Sequence, residues 1–505
     1  MKTIGRIRNL RCQVLSVVSP AAMPPLVAQL AGNAFWSTLG VTISRGLQFV
    51  SYIVVARVLG SAGFGRFGLI QSTLAMFGIV GTFGLGLTAT RYISKYRHLD
   101  PEKAGRIISL SRTIAVATGT TSAIALYFSA DWLAVRSMGD PLLGPLLKVA
   151  SVALALTAIS AAQMGALSGF QAFKSIARLN LIAGLVSFPA TLALVHFFGI
   201  TGGVWALNFG MGTMCCLGAL TLKRTCHDDG ICARTFSWKE DSPILLGFSL
   251  PAALCAAMIA PSTWLANATL VRLPGGLVQI GLFSASNTVR TLLLYLPAIL
   301  MQSSFPVLAA AYSNGGERQE FRRALVMTHN WINVPAAVLG IFTMFGASTI
   351  LALFGPEYRQ GSTVFVVLMA ATVIQAMGSA VGATVQVRGD MWFALCANAA
   401  WAATYLIVAR SFAGTLGAVS LSLGHYLAYA VLLGWQMAKL RSDLPPGMEQ
   451  RVYASLALTS ASAALAASWH PVGLSAGRIL MALLLAAALG GIMRIRPEQL
   501  EVAAL

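Results

Sequence analysis

Apolar stretches of about 20 residues follow one another almost without pause from Asn33 to Met493, and 20 residues wound as a helix cover the roughly 30 Å hydrocarbon core of a bilayer. Such a chain has no water-soluble packing. Inside lipid every backbone N–H and C=O must find its partner within the protein, which leaves helices or a closed barrel. These runs are too long and too little alternating for barrel strands, so helices fill the membrane. With 57% hydrophobic and only 10% charged residues, the connections are short and carry most of the charge.

The spans are expected at 33–59, 64–90, 107–128, 146–167, 176–198, 203–222, 244–271, 277–308, 324–354, 364–387, 392–412, 416–437, 452–468 and 479–493. Alternate connections then collect the basic residues, from Arg91, Lys95, Arg97, Lys103 and Arg106 through Lys174 and Arg178 to Arg388, Lys439, Arg441 and Arg451. The other side holds Arg57, Arg66, Arg136, Lys148, Arg272, Arg359, Arg410 and Arg478, a bias of about three to one. By the positive-inside rule an even number of spans follows, with both termini in the cytoplasm. The same rule accounts for the net charge of +19 without invoking nucleic acid.

Lys2, Arg6, Arg8 and Arg11 precede a short apolar stretch that Pro20, Pro24 and Pro25 interrupt, which reads as a retained basic arm rather than a cleaved signal. Seven cysteines, several of them inside apolar runs, imply no disulfide framework. The group Cys226-His227-Asp228-Asp229 with Cys232 has ligand types at a spacing that matches no strong zinc pattern, and no phosphate-binding glycine loop is present. Neither a metal nor a cofactor is expected.

The chain echoes itself. Ala56-Arg57-Val58-Leu59-Gly60 leading into Phe67-Gly68-Leu69-Ile70 is repeated roughly 215 residues later as Val271-Arg272-Leu273-Pro274-Gly275 leading into Ile280-Gly281-Leu282-Phe283. The fold class expected is therefore all-α and polytopic: two six-helix lobes around a central cavity, plus two C-terminal helices, about 14 transmembrane helices altogether. The divisions fall at a basic arm 1–32, an N-lobe 33–222, a cytoplasmic loop 223–243, a C-lobe 244–437 and a C-terminal pair with its tail 438–505.

All sixteen acids lie in connections or termini, whereas three arginines fall inside spans. Arg112 is six residues from Arg106, about 9 Å along a helix, and can snorkel to the interface. Arg45 cannot. It lies about 18 Å from either end of its span, where an arginine costs roughly 2.5–3.5 kcal/mol on insertion scales and no acid is at hand to neutralise it. Thr38, Thr42, Gln48 and Tyr52 share its helix face at three- or four-residue spacings. Arg290 has a matching stripe of Ser284, Asn287, Thr291 and Tyr295. One central cation in each half suggests a cavity built for negative charge, with Gln71 and Gln375 as further lining candidates. Gln163, Asn208, Asn267, Gln302, Gln386 and His425 read more naturally as contacts between helices. Gly81, Gly84 and Gly86 either permit bending or allow close packing.

Three stretches resemble a known family. The first runs from Ser44-Arg45-Gly46-Leu47-Gln48 through Ala56-Arg57-Val58-Leu59-Gly60 to Phe64-Gly65-Arg66-Phe67-Gly68-Leu69, then Phe83-Gly84-Leu85-Gly86 and Arg91-Tyr92. The others are Leu353-Phe354-Gly355-Pro356-Glu357-Tyr358 and Ser168-Gly169-Phe170-Gln171-Ala172-Phe173. They are similar to the polysaccharide-biosynthesis or oligosaccharide flippases, in the superfamily that also holds multidrug antiporters and peptidoglycan lipid flippases. The resemblance implies a polyprenyl-diphosphate-linked glycan flipped from the cytoplasmic to the outer leaflet of the bacterial inner membrane by alternating access, for lipopolysaccharide or exopolysaccharide assembly. It implies that Arg45 and Arg290 hold the diphosphate, and that membrane lipids and other polysaccharide assembly proteins are the partners. In the peptidoglycan lipid flippases the extra C-terminal pair forms a groove for the lipid tail. The competing readings are a cation-coupled drug antiporter, which favours buried acids, and a membrane glycan polymerase or transferase. The longest connection opposite the basic side, about 129–145, offers only Asp131, Arg136 and Asp140 for catalysis.

Overall fold

A computed structural model describes residues 25–82, 84–231, 257–313, 318–445, 447–468 and 476–493. The basic residues of the N-terminal arm, Cys232 with the rest of its loop, the C-terminal tail and the side chains of Thr38 and Gln302 lie outside the described residues. Helix α1 (Pro25–Thr82) begins eight residues ahead of the expected span. Proline is well placed there, because the first turn of a helix needs no donor from it.

Gly60 breaks α1, with φ 66° and ψ 177°, a conformation open to glycine. The arms 25–59 and 61–82 fold back on one another: the Gln71 amide donates to the Tyr52 hydroxyl at 2.9 Å and the Tyr52 and Phe67 rings meet edge-on. Gly84, at φ 66°, then turns the chain into α2 (Leu85–Tyr96). Next come α3 (Pro101–Trp132), α4 (Leu143–Ala150), α5 (Val152–Gly169) and α6 (Phe173–Asp228). Helix α6 doubles back at Gly199 as α1 does at Gly60, which brings Gly210 over Ser187.

The second half holds α7 (Ile259–Val271), α8 (Gly276–Ser313), α9 (Arg318–Phe345), α10 (Ala347–Ala352), α11 (Ser362–Arg388), α12 (Met391–Leu416) and α13 (Ala418–Lys439). Two last helices follow, α14 (Met448–Ser468) and α15 (Ala476–Met493). Among the described residues nine helices are long and apolar enough to cross a membrane, and α1 and α6 each cross twice. Helix α7 takes the second half of the expected span 244–271, whose residues 244–256 lie outside the described residues, and α14 and α15 occupy the last two expected spans. Helices α1 to α6 pack as one lobe and α7 to α13 as the other, with α8 against α1 between them; α14 and α15 lean on α9 and α11.

The helices approach closely through small residues, as membrane packing requires when lipid removes the hydrophobic drive. At one close crossing in the first lobe, Gly165 of α5 meets Gly86 of α2: a Cβ at 165 would stand 2.2 Å from the Gly86 carbonyl oxygen. Thr90 clasps this crossing, its hydroxyl donating to the carbonyls of Gly86 and Gly165 at 2.9 and 3.0 Å. The obstacle is backbone and cannot rotate away, so Gly165→Ala should force the helices apart at a cost of about 1–3 kcal/mol. Its thermal midpoint in detergent is expected to fall clearly below wild type; an unchanged midpoint would mean that α2 and α5 separate freely.

At one end the lobes are latched. A Cβ at Gly281 would stand 1.9 Å from the Ser61 carbonyl oxygen, and one at Gly65 would stand 2.0 Å from that of Leu277. The two sequence echoes thus face each other across the lobe boundary. Around this crossing Arg57 donates to the Leu353 carbonyl at 2.7 Å, Tyr358 to that of Ala56 at 3.2 Å and Arg272 to that of Ser137 at 3.0 Å. Phe64 packs its ring against Phe354 and Tyr358. Two of the three family-like stretches therefore meet here, one from each lobe.

Candidate substrate cavity

Beneath the latch lies a cavity of about 960 Å³ walled by both lobes. The first arm of α1 supplies Arg45, Gln48 and Tyr52, the returning arm Gln71, and α8 Asn287, Arg290, Thr291 and Tyr295. The two stripes read from sequence therefore converge on one space. Thr42 and Gln375 do not line it; Gln375 stands behind Arg290, in the wall of a neighbouring space. At 100° per residue Thr42 sits 60° around the helix from Arg45 and almost a turn nearer the N-terminus, off the edge of the wall.

Each arginine is held differently. Arg45 donates to the Gln48 side chain at 3.0 Å, Gln48 to the Tyr52 hydroxyl at 3.3 Å, and the Arg45 guanidinium lies 5.7 Å from the centre of the Tyr295 ring on the opposite lobe. That cation–π contact is one the two lobes share. Arg290 is half-buried and held on three sides within its own lobe. It donates to Asn287 at 3.1 Å, to the Gln375 carbonyl oxygen at 2.5 Å and to the Tyr429 hydroxyl at 3.2 Å. Its Nε is buried and has no partner among the described residues.

Among the described residues no carboxylate lines the cavity and no ion pair involves either arginine. The partners named here are neutral oxygens and aromatic faces, which orient a guanidinium without cancelling its charge. The site is a fixed pair of positive charges in a low-dielectric wall, suited to an anion that brings its own oxygens.

Other polar positions divide between wall and glue. Asn267, whose Oδ1 is buried without a partner, lines the cavity, and so does His425. His425 is packed in a cage of Phe283, Trp401, Tyr405 and Tyr429 and bonded to the Leu421 carbonyl. Asn208 ties α6 to Val149 of α4 at 2.8 Å, and Gln163 lies against Cys215 and Gly218. Arg112 is exposed, as a snorkelling side chain should be. Sequence reasoning missed Tyr429; its i, i+4 relation to His425 on one face of α13 was the available signal.

The sequence profile of the family described as "Polysaccharide biosynthesis protein" matches residues 30–311, more than half of the chain and including both arginines. The chain belongs to this family. A similar protein is the EPS I polysaccharide export inner membrane protein EpsE of Ralstonia nicotianae, 25% identical over 80% of this chain and 92% of its own length. The protein of the same name from Ralstonia solanacearum is 25% identical over 84% and 96%.

Among solved structures, the inward-facing conformation of a multidrug resistance MATE family transporter of the MOP superfamily superposes with a TM-score of 0.67 at 16% identity, covering 81% of this chain and 98% of its own. The inward closed conformation of the lipid II flippase MurJ gives 0.67 at 12% identity, over 90% and 97%. These likenesses establish the fold: an all-α polytopic membrane protein of two lobes around a central cavity.

Proposed function

We propose that this protein carries a polyprenyl-diphosphate-linked oligosaccharide from the cytoplasmic to the outer leaflet of the bacterial inner membrane by alternating access, for cell-surface polysaccharide biosynthesis. One observation carries the reading: a two-lobed cavity with one arginine from each lobe and, among the described residues, no carboxylate in its wall. The diphosphate is the fixed anion of every such lipid, whatever sugars it bears, so a site that reads it tolerates a variable glycan. Relatives named as inner membrane export proteins for a polysaccharide favour the same cargo class.

In this reading both termini are cytoplasmic, the latch lies on the outer side and the cavity takes its load from within. Arg45 and Arg290 hold the diphosphate, Gln48, Tyr52, Gln71, Asn287 and Thr291 meet the first sugar, and Gln375 steadies Arg290 from behind. A drug antiporter shares the fold, but lipophilic cations would be repelled by this pair of charges.

The test is flipping in proteoliposomes. The purified protein should move a polyprenyl-diphosphate oligosaccharide between leaflets and leave a neutral glycolipid with the same sugars where it is. Equal movement of both lipids, or movement of neither alongside export of a lipophilic cation, would overturn the proposal.

A further inference from the structure

A second chamber, of about 850 Å³, adjoins the first, and Leu294 and Ala298 of α8 line both. Gln375 and Tyr429 belong to the wall of this second chamber, yet both bond the guanidinium of Arg290, which lines the first. Arg290 thus stands in the partition. On one side of it the wall is polar and carries two cations; on the other it is mainly apolar, built from Pro297, Met301, Phe305, Ile374 and Leu432, with Thr90 and Arg91 of α2, Ser379 and three glutamines among them.

We propose that this largely apolar chamber, between α8, α11 and α13 and faced by Thr90 and Arg91 of α2, binds the isoprenoid units of the carrier lipid nearest the diphosphate. The inference rests on the reading of Arg290 as a diphosphate ligand. In a polyprenyl diphosphate the hydrocarbon is joined directly to the anion, so a protein that grips the anion at the partition must place the first isoprene units beside it. Of the two spaces that meet at Arg290, one offers mainly charge and hydrogen bonds, which hydrocarbon cannot use, and the other mainly aliphatic and aromatic surface. The glycan and the lipid therefore part company at Arg290. Among the described residues none of α14 or α15 lines either chamber, so this tail site is separate from a groove formed by the C-terminal pair.

Gly378 of α11 lines the chamber, and a Cβ built there would make only an ordinary contact, 3.9 Å from Leu433 Cδ1. A larger side chain at 378 then fills the space without straining the backbone. Full-length protein in detergent is titrated with one glycosyl diphosphate carrying a methyl group, two isoprene units or a long polyprenyl chain. Wild type should bind the two-isoprene form about tenfold or more tighter than the methyl form. In Gly378→Leu, and independently in Leu432→Gln, that ratio should fall towards one.

A wild-type ratio near one, a ratio unchanged in both variants, or a chain-length gain erased by excess phospholipid would overturn the proposal, the last by making the chamber a general acyl-chain site. Failure of the diphosphate reading looks different: the methyl glycosyl diphosphate would then bind Arg290→Ala as well as it binds wild type.

Discussion

Arg290→Ala is expected to weaken binding of a glycosyl diphosphate by about 10- to 100-fold, the larger of the two arginine effects. A hydrogen bond to a charged group contributes about 1.5–3 kcal/mol, and each 1.4 kcal/mol is a factor of ten. Arg290 should reach that range because Asn287, Gln375 and Tyr429 hold it in place before any ligand arrives, so little ordering remains to be done on binding. Arg45 is exposed and anchored mainly by Gln48 and the Tyr295 ring, so Arg45→Ala should cost less, about three- to fivefold. Arg290→Lys keeps the charge but loses the planar fork that spans three partners, and should fall between wild type and alanine. Calorimetry or fluorescence titration on monodisperse protein reads these values. Wild-type affinity in well-folded Arg290→Ala would return this arginine to a purely structural role.

Gly281→Leu should disable the transport cycle, through the latch rather than the binding site. A Cβ at 281 would already stand 1.9 Å from the Ser61 carbonyl oxygen and 2.8 Å from its carbon, so the lobes cannot close here with a side chain between them. Overpacking against backbone costs about 1–3 kcal/mol or more, enough to shift a two-state equilibrium by about 10- to 100-fold away from the latched state. Spin labels on Arg136 and Glu357, exposed residues on opposite lobes at this end, should report longer distances in the variant, and flipping should slow in proportion. Gly281→Ala gives a milder test should the leucine variant fail to fold. Unchanged distances with wild-type flipping in either variant would mean the crossing does not need to be closed.

Much of this was legible along the chain. The spans emerged from apolar length alone; the structure extends several of them, since helices outrun the hydrocarbon core into the interfaces, but ends the second at Thr82 and the ninth at Phe345. Arg45 and Arg290 stood out because a midplane cation without an acid is costly enough to demand a reason. Gly84, which the sequence leaves open between bending and close packing, breaks its helix at φ 66°. Thr42 shows where the reasoning stopped: it shares a face with Arg45 by periodicity, but the wall of the cavity is narrower than that face.

Composition and periodicity by themselves determined that the chain is a bundle of membrane helices in two echoing halves, with one central arginine in each, because these properties depend on transfer from water to lipid and on the 3.6-residue turn. Only the tertiary structure decided what those residues meet. Gln375 and Tyr429 reach Arg290 from 85 and 139 residues away, Gly281 closes on Ser61, and an apolar chamber opens behind the partition. A helix's sequence records which side chains share a face; which neighbour that face touches is settled by how small residues let whole helices approach, and that is a property of pairs of segments rather than of either one.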